Sequence, residues 1–179
     1  MIDIFFHPMI SLDEGPIKYF SVLGRALFTA QHFETNCRAL AGFLNMRVEI
    51  ITKGSDVLNA PEFHNRINSL WRKTLGGQIT AIQKIIQFPN DISQIIDEAR
   101  NARNEVAHGI TVGIGDNLDS ELNVRIDEIR RQVKKIATAD KYVAALLHIF
   151  NRDQLPNGNY FREYERKIDK WVCEPVFDK

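Results

Sequence analysis

Apolar residues recur every three or four positions along most of this chain, the spacing of one face of an α-helix. The first stripe is Tyr19, Phe20, Leu23, Ala26, Leu27, Ala30, Phe33, Cys37, Leu40, Ala41 and Leu44. It predicts a long helix over 15–45, one arm of a bundle. Pro16 suits a first helical turn, and Asp13 and Glu14 complement the positive end of the helix dipole. Residues 47–52 alternate enough to read as a short strand, followed by a turn at Lys53-Gly54-Ser55-Asp56. With no clear partner strand, 46–60 is read as an irregular excursion or a short helix end. Asn59 resembles a helix cap with Glu62 reaching back to it, opening a helix that carries Phe63, Ile67, Leu70, Trp71 and Leu75. Gly76-Gly77 weakens or breaks that helix. Ile79, Ile82, Ile85 and Ile86 continue the pattern as far as Phe88-Pro89.

A third helix starts from Asn90-Asp91 and runs to His108, with Gly109 as its terminator. A fourth spans about 119–150, with a bend and internal cap at Thr138-Ala139-Asp140. The last carries Tyr160, Phe161, Tyr164, Ile168 and Trp171. No internal repeat interrupts the series. These elements make an all-α, up-and-down helical bundle. It forms a single domain over 1–179, with a core at about 13–150 and an accessory C-terminal helix at about 158–173.

Placing the third helix at about 100° per residue exposes an anomaly. Ile92, Ile95, Ile96, Ala99, Ala102, Val106, Ala107 and Ile110 form one apolar arc, and Arg103 falls inside it. A charge there must be paired or must face a cleft or interface, because burying it alone is costly. Arg100, Asn104 and His108 follow at four-residue steps along the edge of the arc. Glu34 is the matching anomaly on the first helix, in the stripe of Leu23, Leu27 and Ala30. It is the natural partner of Arg103 or Arg100, as a structural ion pair or as the group that orients an arginine towards a phosphate. Arg103 and His108, five residues apart, point about 140° away from each other on a regular helix. Convergence needs either a helix end at His108 or a second copy of the chain across a two-fold axis.

Composition narrows the class. Lys+Arg and Asp+Glu both number 23, so bulk electrostatic attraction to nucleic acid is not expected, and any nucleic-acid contact would have to come from a local basic cleft. The two cysteines, Cys37 and Cys173, have no metal-ligand spacing and read as reduced thiols. No apolar run approaches the roughly 20 residues of a membrane span, and 1–8 is too short and acidic for a signal peptide. A cytoplasmic protein without membrane contact is the expectation.

Arg103-Asn104-Glu105-Val106-Ala107-His108, followed by Gly109, resembles the signature of the HEPN superfamily. That signature is an arginine, a polar residue and then a histidine, near the end of a helix in an all-α bundle. The compatible part of the chain is roughly 13–150. The resemblance implies a metal-independent ribonuclease of toxin or defence type, a homodimer whose paired motifs build one cleft. RNA or a nucleotide is then the partner, with an antitoxin protein as a further one. No cofactor or metal is implied. Arg103 and His108 would be the catalytic pair, Asn104 the supporting polar residue, with Arg100 and Glu34 beside them. Ile110 stands where a subgroup carries a tyrosine that a partner antitoxin modifies. Other members are non-catalytic nucleotide-binding or scaffold modules, and that is the alternative reading.

Elsewhere the chemistry is sparse. His7, His32, His64 and His148 have no partner at metal spacing and read as surface or packing residues. Arg66, Arg72 and Lys73 could line an RNA path but suit a solvated face. Tyr160, Phe161, Tyr164 and Trp171 could stack on bases, but at helical spacing they suit packing of the last helix. Gly113-Ile114-Gly115 lacks the surrounding βαβ unit of a dinucleotide site. No serine or cysteine sits in a nucleophile motif.

Overall fold

The computed structural model describes residues 14–110, 118–151 and 158–174, and these contain helices and no strand. The signal-peptide reading of 1–8, the loop after Ile110 with its Gly113 and Gly115, and most of the 151–159 loop lie outside the described residues.

Helix α1 is Glu14–Lys53. It runs straight through residues 47–52, so the short strand is not formed and the excursion over 46–60 shrinks to one tight turn. An isolated strand would leave its backbone groups unpaired, whereas a helix satisfies them within itself. Thr52 Oγ1 donates to Val48 O at 2.8 Å, and Lys53 Nζ lies 2.8 Å from Glu49 Oε2. Gly54 stops the helix, with φ of 85° and its N–H donating to Ile50 O at 2.9 Å. With ψ of 169°, this positive-φ extended conformation is one that essentially only glycine adopts without a Cβ penalty. A 3-10 turn, Ser55–Asn59, follows.

Helix α2 is Pro61–Trp71, capped by Ala60 rather than Asn59, with no side-chain cap and Pro61 in the first turn. Its break falls at Arg72–Thr74, ahead of the glycines. Thr74 caps α3, Leu75–Gln83, by accepting from Gly77 N at 3.4 Å, so Leu75 opens α3 instead of closing α2. Buried Gln78 ties the corner by donating to Lys73 O at 3.0 Å. Helix α4 is Asn90–Asn104, with Pro89 at the cap position and no side-chain cap from Asn90 or Asp91. Helix α5, Leu118–Asn151, continues unbroken through Thr138-Ala139-Asp140, so no internal cap exists there. Helix α6 is Gly158–Cys173.

Cross-helix contacts fix the directions. Tyr19 and Glu34 of α1 meet Ile110 and Arg103, so α4 runs antiparallel to α1. Asn36 and Phe43 meet Asp140 and Phe150, so α5 runs parallel to α1. Arg130 and Asp140 meet Asp169 and Tyr164, so α6 runs antiparallel to α5. Up-and-down alternation therefore holds from α4 to α6, with α1 and α5 as parallel neighbours. Tyr19, Phe33, Leu40, Ile129, Ile136 and Val143 are fully buried between them, together with Ile96, Ala99, Ala102 and Val106 of the α4 arc. Each large apolar side chain there contributes roughly 1.5–3 kcal/mol by leaving water.

The end of α4 departs from a simple stop. Glu105–Gly109 forms a π turn, with Ile110 N donating to Glu105 O at 3.0 Å. Gly109 is not left-handed, since Gly54 is the one described glycine with positive φ. Gly109 instead leaves room for the Glu105 carboxylate, which folds into the space a Cβ would occupy. The Ile110 carbonyl, which would otherwise be an orphan at a helix end, accepts from the buried Tyr19 hydroxyl at 3.2 Å.

Candidate functional site

The buried arc of α4 carries Arg103 to the surface of α1. Its side chain is 22% exposed, and Arg103 Nη2 donates to Glu34 Oε2. Arg38, one turn further along α1, donates from Nη2 to the other oxygen, Glu34 Oε1, at 3.2 Å. Two guanidiniums thus share one carboxylate, and the cluster keeps one net positive charge. Arg103 Nη1 also donates to Asn104 Oδ1 at 3.3 Å. A guanidinium has five N–H donors, so two contacts leave it able to fork onto an anion.

Arg100 does not join this cluster. Its Nη1 lies 3.5 Å from Asp97 Oδ1, and its stem crosses Gly76 of α3, whose missing Cβ leaves the space. The pairing of Glu34 with Arg103, rather than with Arg100, is therefore decided by the fold.

His108 sits on the π turn and is exposed, with no hydrogen bond or ion pair to any described residue. The π turn changes its bearing. Bonds from i to i+5 advance the chain by less than the usual angle per residue, so the 140° divergence from Arg103 narrows. The two side chains still do not touch within one chain.

An apolar groove of about 570 Å³ opens next to Arg38, between α1 and α2. Phe43, Phe63, Ile67 and Trp71 wall it, and Trp71 lies over Gly42, where its indole Nε1 is 2.9 Å from the position of a Cβ. Of the candidate RNA-path cations, Arg66 on α2 is paired with Glu49 at 3.0 Å, while Arg72 and Lys73, in the break that follows α2, are exposed.

A second polar cluster joins α1, α5 and α6. Asp140 is buried. Its Oδ1 accepts from Asn36 Nδ2 at 2.8 Å, its Oδ2 accepts from the Tyr164 hydroxyl, and His32 Nδ1 lies 3.4 Å from Oδ2. Burial and the neighbouring Asp140 carboxylate push the Tyr164 phenol well above its ordinary range. The hydrogen bond to Asp140 raises the pKa of His32 against the opposing effect of burial. Cys37 lies between this cluster and Glu34, and burial, then both carboxylates, push its thiol far up. His32 is thus not a plain surface histidine. A signal existed in the sequence: Asp140 stands on the apolar face between Ile136 and Val143, the same anomaly that marked Arg103. Of the other α6 aromatics, Trp171 meets Phe28 of α1 edge-on at 5.7 Å and Tyr160 meets Tyr164 of its own helix at 5.5 Å, and both Trp171 and Tyr160 remain exposed.

No group of three or more potential metal ligands occurs among the described residues. No helix among them is long and apolar enough to cross a membrane. The chain matches no protein-family model, no curated protein and no solved structure.

Proposed function

We propose that this chain is a metal-independent endoribonuclease of HEPN type, working as a homodimer with toxin- or defence-like activity. The observation that carries the reading is the Arg38–Glu34–Arg103 cluster. It holds Arg103 and keeps a net positive charge, and an exposed histidine follows five residues later on a π turn. That is a set of groups suited to a phosphodiester.

In this reading the His108 imidazole takes the proton of a ribose 2′-hydroxyl. The 2′-oxygen then attacks phosphorus and the bond to the 5′-oxygen breaks. His108 of a second copy, protonated, gives its proton to the departing 5′-oxygen. Arg103 stabilises the charge that builds on the non-bridging oxygens. The products are a 2′,3′-cyclic phosphate and a 5′-hydroxyl, so the protons balance without metal or water. Asn104 accepts one N–H from Nη1 and Glu34 one from Nη2, which orients the guanidinium and leaves its other N–H groups for the phosphate. The groove beside Arg38 offers an apolar wall for a base next to the scissile phosphate.

The test is cleavage of single-stranded RNA in chelator. Arg103→Ala and His108→Ala should each abolish cleavage with the helical spectrum unchanged, and the wild-type product should end in a cyclic phosphate. Intact RNA with the wild-type dimer, or full activity in His108→Ala, refutes the reading. The ion pairing of Arg103 and the exposure of His108 without a described partner favour the second reading, a non-catalytic nucleotide-binding or scaffold module. Saturable nucleotide binding, lost in Arg103→Ala without any cleavage, is its signature.

A further inference from the structure

We propose that the cleft between α1, α5 and α6 is a second binding site, selective for a small organic cation such as a quaternary or primary ammonium group. The cleft holds about 220 Å³. Its walls are aromatic: Phe28 and Trp171 meet edge-on across the mouth, His32 stacks on Phe28 with centroids 6.5 Å apart, and Tyr164 lines the interior. Asp140 also lines it. Aromatic faces attract cations through their quadrupole, and a carboxylate at the base supplies a full opposite charge.

Charge balance makes the choice of ligand. Asn36 of α1 is a neutral donor to Asp140. Cys37 of α1 and Tyr164 of α6 are held in their neutral forms by burial and by the carboxylate. Lys141, the neighbour of Asp140 on α5, is spent on Glu165 of α6. Glu34 of α1 is spent on Arg38 and Arg103. That leaves His32 as the titrating group facing Asp140, and it is half-exposed at the mouth. Once His32 is neutral, the cleft carries one uncompensated negative charge among aromatic rings. A carboxylate so placed binds a cation or keeps a proton nearby. The two alternatives compete, so the ligand and the His32 proton exclude each other.

The chain has two tryptophans, which supply a readout with an internal control. Trp171 borders the cleft, while Trp71 borders the separate groove between α1 and α2. Tetramethylammonium chloride is titrated into the full-length protein, with the two indole N–H resonances followed by NMR. Tert-butanol, of similar size and uncharged, is titrated in parallel. The expected result is a saturable shift of the Trp171 signal with tetramethylammonium alone and none at Trp71. Binding should weaken as pH falls through the His32 transition, and His32→Gln, which keeps a neutral donor, should remove that dependence. Phe28→Ala, at an exposed position, should weaken binding about three- to thirtyfold. Asp140→Asn should abolish it if the variant folds. No saturable Trp171 shift, an equal response to tert-butanol, or unchanged pH dependence in His32→Gln overturns the proposal. None of these outcomes depends on RNA cleavage.

Discussion

Replacing Tyr164 by phenylalanine removes one oxygen and leaves the ring that fills the α5–α6 seam. The lost contact is the phenol donating to the buried Asp140 carboxylate. A hydrogen bond to a charged acceptor contributes about 1.5–3 kcal/mol, and the carboxylate retains Asn36 Nδ2 at 2.8 Å, so the loss should fall within that interval. For a chain of this size it corresponds to a fall in Tm of roughly 3–12 °C. The assay is equilibrium urea unfolding, read as a lower midpoint at unchanged slope. pH sharpens the test. Because the folded-state pKa of His32 is raised, its contribution is complete below the unfolded value of about 6.5 and is lost as pH rises through the folded value. Below that window protonated His32 partly compensates Asp140, so Tyr164→Phe should cost less there than above it. Half-exposure keeps the His32 contribution under about 1 kcal/mol. A loss below about 0.5 kcal/mol at both ends of the pH range would refute the account of this cluster.

Two glycines in and after α1 should respond with opposite signs. Gly24→Ala meets no atom within 4 Å and should raise stability by about 0.5–1 kcal/mol, whereas Gly54→Ala forces alanine to φ of 85° and should lower it by about 1 kcal/mol, both read by thermal unfolding. Cys37 is fully buried with its thiol pushed up by burial, so it should resist a thiol reagent near pH 8.5 (about the ordinary thiol pKa) until the protein unfolds. Peptide mapping that finds Cys37 labelled as fast as a free thiol would contradict its placement.

The helices and their buried faces could be read from the sequence because they depend on local spacing. Leu23, Ala30 and Leu40, or Ile96, Ala99 and Ala102, face inward wherever their helix packs. Ion-pair anomalies were legible for the same reason. A charge inside an apolar arc must have a partner, so Glu34 could be matched to Arg103 or Arg100, and the structure pairs it with Arg103 across 69 positions. Boundaries were less legible. Residues 47–52 follow α1 as helix because nothing lies beside them to pair as a strand, and Thr74 outcompetes Gly76-Gly77 as the corner. Asp140 carried the same signal as Arg103 but has three partners on two other helices. His32 and Tyr164 lie 108 and 24 positions from it, and no spacing rule links them. By itself, then, the sequence determined an all-helical chain and the arc that carries Arg103. Tertiary structure decided which arginine Glu34 holds, gave α4 its π turn, and enclosed Asp140 among aromatic rings. Those outcomes depend on which helices become neighbours, and in which direction they run, and only packing settles that.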